Sequence, residues 1–227
     1  MEKVLRCEPE TLAACEPAGT AAPLARLAAL IGPLVTPLST DRFETLARTI
    51  VGQQLSVKAA ATIWGRVAAA CGAVAPDRLL ALTDEEWRAF GVSKPKASYI
   101  RDLAAKVAGE VVRLDELDGM EDAEVIRTLM QVKGIGLWTA EMFLIFSLGR
   151  TDVRSLGDAG LQRAARWLLA APDISLRDCF DRWSPHGSIA SLYLWEAVNR
   201  GWVDAYGSLG EAEQMLPAGP EAAASPR

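Results

Sequence analysis

The sequence predicts an all-α protein. Alanine is abundant and Val/Ile/Thr alternation is scarce. Apolar residues recur at helical spacing in several segments. Half of the 227 residues are hydrophobic, enough for a sizeable core. The length suits one domain of two lobes, or two small domains.

The elements follow in order. Residues 1–22 are mixed, with Pro9, Pro17 and small side chains, and are expected to wrap the surface. A short apolar helix is expected over 23–32, after Pro23. The clearest helical region is 41–70. Phe43, Leu46, Ala47, Ile50 and Val51 share one face, Gly52-Gln53-Gln54-Leu55-Ser56 interrupts the pattern, and Val57 to Ala70 resumes it. A two-helix corner with a polar turn is the simplest reading. Pro76 to Leu82 is a short helix or turn. Thr83-Asp84-Glu85-Glu86 reads as a capping box, Gly91 ends that helix, and Lys94 to Val111 forms the next. Asp115 to Met120 is a linker. Asp122 to Gln131 is amphipathic, with Val125, Ile126, Leu129 and Met130 on one face. Helices are expected over Trp138 to Leu148, Gly160 to Leu169 and Ser188 to Trp202. Residues 204–227, rich in Ala, Glu, Pro and Gly, are expected to form an acidic, disordered tail.

Composition removes several chemistries. Cys7, Cys15, Cys71 and Cys179 lack metal-site spacing, and His186 is the single histidine. A side-chain metal centre and His-pair mechanisms are therefore disfavoured, which leaves carboxylate chemistry. No apolar run reaches the roughly 20 residues that span a bilayer, and Met1 to Arg6 do not resemble a signal peptide. No membrane association and a cytoplasmic location are expected. The net charge of −5 argues mildly against a nucleic-acid partner. The distribution softens this, because residues 127–166 carry a net +3 and residues 203–227 a net −3.

The most informative stretch is Val132-Lys133-Gly134-Ile135-Gly136-Leu137-Trp138-Thr139-Ala140. Two glycines open a helix that follows an amphipathic one, forming a helix-hairpin-helix. The N–H groups of the second helix's first turn can hold a phosphate. An ordinary αα-corner gives the same pattern. Asp158 follows in Leu156-Gly157-Asp158-Ala159-Gly160-Leu161, on a short turn before another helix. It suits either a reacting carboxylate or a helix cap. Gln53-Gln54-Leu55-Ser56 is either a polar turn or a wedge that fills the gap left by an extruded nucleotide. Trp138 and Trp195 could stack on a cationic base, worth about 0.5–2 kcal/mol. Core packing is the plainer reading for any one Trp. Trp64, Trp87, Trp167 and Trp202 are read as core, and Trp183 as either. Lys94, Lys96, Arg101 and Lys106 read as a solvated helix face.

Taken together these motifs resemble the alkylpurine branch, 3-methyladenine DNA glycosylase II, of the helix-hairpin-helix glycosylases. The resemblance spans about residues 40–203. It includes Ile50 to Ser56, Gly91 to Ile100, Val132 to Ala140, Asp152 to Leu161, and Trp183 to Ala190 with Tyr193-Leu194-Trp195. It implies two helical lobes with the hairpin and a cleft between them. The core would be 40–203 and the segment 1–39 would pack on it, too short for the β-domain of some relatives. It implies that Asp158 is the catalytic aspartate. Trp138 stands where strand-cleaving relatives carry a Schiff-base lysine, implying a monofunctional enzyme. Backbone carbonyls of Met130, Val132 and Ile135 match a Na or K site, with no other cofactor required. Gln54 or Leu55 matches the wedge. Gln53, Gln54, Leu55, Ser56, Gly134, Gly136 and Thr139 are implied to contact DNA. Trp138, Trp195, Trp183 and Tyr193 are implied to line the base pocket.

The implied activity is hydrolysis of the N-glycosidic bond of alkylated purines in double-stranded DNA by a monomer. 3-Methyladenine, 7-methylguanine, ethenoadenine and hypoxanthine are the candidate bases. The chain departs from the family pattern at Lys133, at Arg154-Ser155 and at Gly187, where relatives often carry proline, Phe-Pro and arginine. Gly187 is expected to weaken an ion pair or open the cleft. Two other classes stay open: a non-catalytic helix-hairpin-helix DNA-binding module, and a helical interaction protein.

Overall fold

Helices dominate because the sequence supplies starts, stops and apolar stripes at the right places. The computed structural model of the chain describes residues 3–13 and 22–216. In chain order the elements are β1 (Val4–Cys7), α1 (Pro9–Ala13), α2 (Pro23–Ile31), β2 (Leu34–Pro37), α3 (Arg42–Gly52), α4 (Val57–Cys71), α5 (Pro76–Ala81), α6 (Asp84–Phe90) and α7 (Lys94–Ala108). Then come α8 (Asp122–Leu129), α9 (Leu137–Phe146), α10 (Ala159–Leu169), α11 (Leu176–Trp183), α12 (Gly187–Asn199), α13 (Trp202–Ala205) and α14 (Leu209–Met215). The all-α expectation holds apart from one two-stranded antiparallel ribbon, β1 with β2, in which Leu5 opposes Thr36 and Cys7 opposes Leu34. The linker at Asp115 to Met120 contains a single 3-10 turn, Leu117–Gly119.

The chain divides into two compact units, Ser39–Leu148 and the pair Met1–Leu38 with Gly149–Arg227. The expected core of 40–203 is thus shared between two units. The first segment does more than wrap a surface. Leu5, Cys7 and Leu12 are buried, and the Tyr193 hydroxyl donates to the Cys7 carbonyl at 2.9 Å. Around them α12 is the central helix of its unit, buried from Gly187 to Leu194 and packed against α2, α10 and α11. Its apolar residues surround the whole helix, so no one-sided stripe marks it in the sequence. The expectations for residues 14–21, including Cys15, and for 217–227 lie outside the described residues.

The acidic tail is corrected up to residue 216. α14 packs on α2 and α10, with Leu209 and Ala212 buried. Ser208 caps it by accepting from Glu211 N, and Glu213 pairs with Arg26. A seven-residue helix with two buried side chains is too short for a periodicity signal against an Ala/Glu background. α11 is a further helix beyond those expected, with Leu176, Cys179, Phe180 and Trp183 buried at helical spacing.

In the unit 39–148, α3 packs on α4 and α7, α5 and α6 pack on α7, and α8 on α9. Asp41 and Ser56 cap α3 and α4, and Thr83 with Glu86 forms the expected capping box. α9 is buried along Thr139–Glu141 and Phe143–Ile145, which explains its apolar composition in a helix too short for a membrane. No helix among the described residues is long and apolar enough to cross one.

Candidate active site

The hairpin is built as its glycines require, but the two glycines differ. Gly134 has φ +81°, and a Cβ there would lie 2.6 Å from Tyr99 Cγ. Only glycine fits. Gly136 has φ −96° and open space where a Cβ would stand, so neither backbone nor packing demands glycine there. It is the N-cap of α9, and no side chain caps that helix. The first-turn N–H groups of a helix have no intrahelical partner, and here an anion could approach them without meeting a side chain at residue 136. Thr139 is only 6 % exposed, which removes its side chain from the expected DNA contacts. At the end of the preceding helix the face is also different from expectation. Val125 and Leu129 are buried, but Met130 is exposed.

The α3–α4 turn stands beside the hairpin. Gln53 Nε2 donates to the Gly134 carbonyl at 2.8 Å, joining two motifs 81 residues apart. Lys96 Nζ donates to the carbonyls of Val51 (2.8 Å) and Gln53 (2.6 Å). Burial pushes the Lys96 pKa down. Gln54 has φ 58°, unusual for a side-chain-bearing residue, and is exposed, as are Leu55 and Val57. Ser56 Oγ is occupied as the α4 cap, accepting from Ala59 N at 3.3 Å. Trp138, half-exposed on the first turn of α9, lines an open depression of about 540 Å³ with Arg48, Thr49, Gln54, Leu55 and Val57.

Asp158 is the N-cap of α10, its Oδ1 accepting from Leu161 N at 2.8 Å. It is half-buried. A Cβ at Gly160 would come within 3.1 Å of Oδ1, so glycine keeps space around the carboxylate. The capping reading of the sequence is therefore correct in geometry, and it does not exclude a reaction. Nearby in the chain, Asp152 accepts from Ser184 Oγ (2.7 Å) and from Gly187 N (2.9 Å). A Cβ on Gly187 would lie 2.9 Å from Asp152 Oδ1 and 3.0 Å from Phe180. Glycine there closes packing, so the expected opening at this position is corrected.

Two of the four aromatic pocket residues are also corrected. Trp183 is 1 % exposed and packs edge-on against Phe180, with centroids 5.7 Å apart. Tyr193 is fully buried with its hydroxyl bonded to Cys7, and burial raises its pKa. Neither presents a ring face to a ligand. Trp195 is half-buried on α12.

A family model described as the HhH-GPD superfamily of base excision DNA repair proteins matches residues 47–180. The chain belongs to this superfamily. It is 31 % identical over 177 residues to a putative DNA-3-methyladenine glycosylase of Bacillus subtilis, covering 72 % of this chain and 62 % of that relative's length. It is also similar to the crystal structure of a DNA-3-methyladenine glycosidase of Bacillus halodurans, with 40 % identity, a TM-score of 0.77, and coverage of 86 % of this chain and 92 % of that one. A 3-methyladenine DNA glycosylase of Schizosaccharomyces pombe, solved with abasic DNA, aligns with 27 % identity and a TM-score of 0.72, over 84 % and 96 % of the two chains.

The carbonyls expected to hold a Na or K ion, those of Met130, Val132 and Ile135, would offer it neutral oxygen donors, which suit such an ion better than a transition metal. The Val132 carbonyl already accepts from Ile135 N at 3.1 Å, leaving its second lone pair. No group of three or more His, Cys, Asp or Glu side chains that could hold a metal occurs among the described residues. Lys94 is exposed as expected, but the other three basic residues read as a solvated face on α7 have partners. Lys96 caps α3, Arg101 pairs with Asp84 and donates to Leu82 O, and Lys106 pairs with Asp102. The signal was their helical spacing with Tyr99 and Asp102, which a charge count cannot register.

Proposed function

We propose that this chain is a monofunctional DNA glycosylase that hydrolyses the N-glycosidic bond of alkylated purines in duplex DNA. 3-Methyladenine and 7-methylguanine are the first candidates, with ethenoadenine next, and removal of the base initiates excision repair. The observation that carries the reading is the Trp138 indole, half-exposed on the first turn of α9 where lyase relatives would place a lysine. An indole cannot form a Schiff base, and it attracts a cationic base by about 0.5–2 kcal/mol.

The chemistry follows from the leaving group. A purine methylated at N3 or N7 is cationic in the nucleotide and departs neutral, so no strong general acid is needed for it. As the bond between C1′ and the base nitrogen breaks, positive charge grows on the sugar. Asp158 stabilises that charge and orients the water whose oxygen bonds to C1′. The α9 N-terminus and the Gly136 gap hold a phosphate, and the Met130, Val132 and Ile135 carbonyls would hold a Na or K ion that supplies further positive charge there. Gln54 or Leu55 fills the stack after the base leaves it. Extrusion costs a few kcal/mol and is cheapest for damaged bases, which contributes to selection. The protein would act as a monomer, in the cytoplasm on nucleoid DNA.

A second reading has its own support, because Asp158 already serves as a helix cap. The chain would then bind damaged or abasic DNA without releasing a base. Excision assays on methylated duplex DNA separate the two. Base release by the wild type and its loss in Asp158→Asn support the enzyme, while DNA binding without release supports the module.

A further inference from the structure

Four consecutive carbonyls at the end of α3 show how the turn before α4 is held. A helix leaves its last carbonyls without intrahelical partners. Here the Ile50 carbonyl accepts from Gln53 N at 3.4 Å and the Gly52 carbonyl from Leu55 N at 3.1 Å. The two between and beyond them, Val51 and Gln53, are taken by one ammonium group, Lys96 Nζ, at 2.8 and 2.6 Å. A cation at a helix C-terminus is favourable in its own right. With the backbone anchored on both sides, Gln54 sits at φ 58°, a conformation that side-chain-bearing residues adopt only when their surroundings hold them. The anchoring leaves the Gln54 and Leu55 side chains outside and turns the Gln53 amide toward the Gly134 carbonyl.

The same face of α7 supports the hairpin. Tyr99, one turn after Lys96, lies against Gly134 closely enough to exclude any side chain there. Asp102, almost one turn further, accepts from Lys133 N at 2.8 Å and pairs with Lys106 at 2.5 Å. One helix therefore sets the backbone of both turns, and the bond from Gln53 to Gly134 joins them directly.

We propose that Lys96 is a positioning residue for base extrusion: its ammonium fixes the Gln53-Gln54-Leu55 turn, and through Gln53 holds it at a set distance from the Gly134–Gly136 hairpin. This rests on the glycosylase reading above. Displacing a duplex base requires the wedge to press at one place while the phosphate is held at another. A turn free to relax loses that leverage even when the phosphate grip and Asp158 are intact. Lys96 itself touches neither base nor sugar in this scheme.

The test uses the full chain with Lys96→Met, which keeps an unbranched apolar stem and removes the ammonium with both hydrogen bonds. Two substrates are compared, a duplex with 7-methylguanine paired to cytosine and one with 7-methylguanine opposite an abasic site, where little unpairing is needed. The expected result is a fall in kcat of about 10–100-fold on the paired duplex. On the second substrate the change stays small, and KM changes little on both. Fluorescence of 2-aminopurine beside the lesion reports extrusion directly and should lose its enzyme-induced rise. Lys96→Arg should restore part of both signals. Equal losses on the two substrates mean a merely structural role and overturn the proposal, as does wild-type behaviour. If Lys96→Met does not fold, Lys96→Gln, shorter and uncharged, replaces it, and the same asymmetry is required of it. A wild type that raises the 2-aminopurine signal but releases no base defeats the glycosylase reading and leaves the positioning role standing.

Discussion

At the scale of single residues, substitution can separate the cap that Asp158 forms from the catalytic role proposed for it. Asn caps a helix about as well as Asp, while Ala costs about 1 kcal/mol at such a position. Asp158→Asn should therefore melt like the wild type and lose excision. Asp158→Ala should lose both activity and a few degrees of Tm, at about 2–4 °C per kcal/mol for a chain of this size. Full excision by the Asn variant would remove the carboxylate from the mechanism. The two hairpin glycines make a second contrast. Gly134→Ala forces a side chain into Tyr99 at a left-handed backbone, so it should destabilise by about 1–3 kcal/mol or more. Gly136→Ala meets open space and a permitted φ, so it should cost no more than the N-cap preference, about 1 kcal/mol, while affinity for duplex DNA falls. A Gly136→Ala protein that binds DNA normally would place the phosphate elsewhere. The glycines are both visible in the sequence, but only the backbone angles show that they serve different ends.

At the scale of elements, α7 and α14 carry the arguments. Burial disfavours the charged form of Asp102, but the Lys106 ammonium and the Lys133 N–H outweigh it and lower its pKa. A carboxyl lowered on folding stabilises the protein above its unfolded pKa, about 4, and that stability is lost as pH falls through the lower folded value. Thermal melts from about pH 5 to pH 2 should therefore show a steeper acid loss in the wild type than in Asp102→Asn. Identical pH profiles would show that the carboxylate contributes nothing to holding the hairpin. For α14, Leu209 is 2 % exposed, and Leu209→Ala should cost about 2–5 kcal/mol through the lost burial and the cavity. A tail without structure would tolerate the change, so a small shift in Tm would contradict the packing of α14 on α2 and α10.

At the scale of the whole molecule, charge decides how DNA could be bound. The net charge is −5, and the basic window at 127–166 is less available than its composition suggests. Arg154 pairs with Asp181 and Arg163 with Asp204. Such exposed pairs add little stability, but they cancel local positive charge. Binding would then lean on oriented N–H groups more than on a field of lysines. The affinity for duplex DNA should fall with salt along a shallow log–log slope, no steeper than about −4, since each neutralised phosphate contributes about −0.9. A titration with a slope near that of strongly basic DNA binders would point to a cationic surface not identified above.

The sequence alone determined the elements whose code is local. Helical spacing, the capping box at Thr83 and the hairpin glycines all act within a few residues, and each appears in the structure where it was expected. It also singled out Asp158, Trp138 and Gln53-Gln54-Leu55 as candidates, because their motifs are contiguous. Tertiary structure decided everything that depends on distant partners. It put Trp183 and Tyr193 in the core, drew the first strand and the last helix into one unit, and closed the packing around Gly187. It also made Lys96 a cap for carbonyls more than 40 residues away. The physical reason is that burial and long-range hydrogen bonds are properties of chain segments brought together in space, and a side chain's type leaves open whether it meets solvent, a core or an orphaned carbonyl.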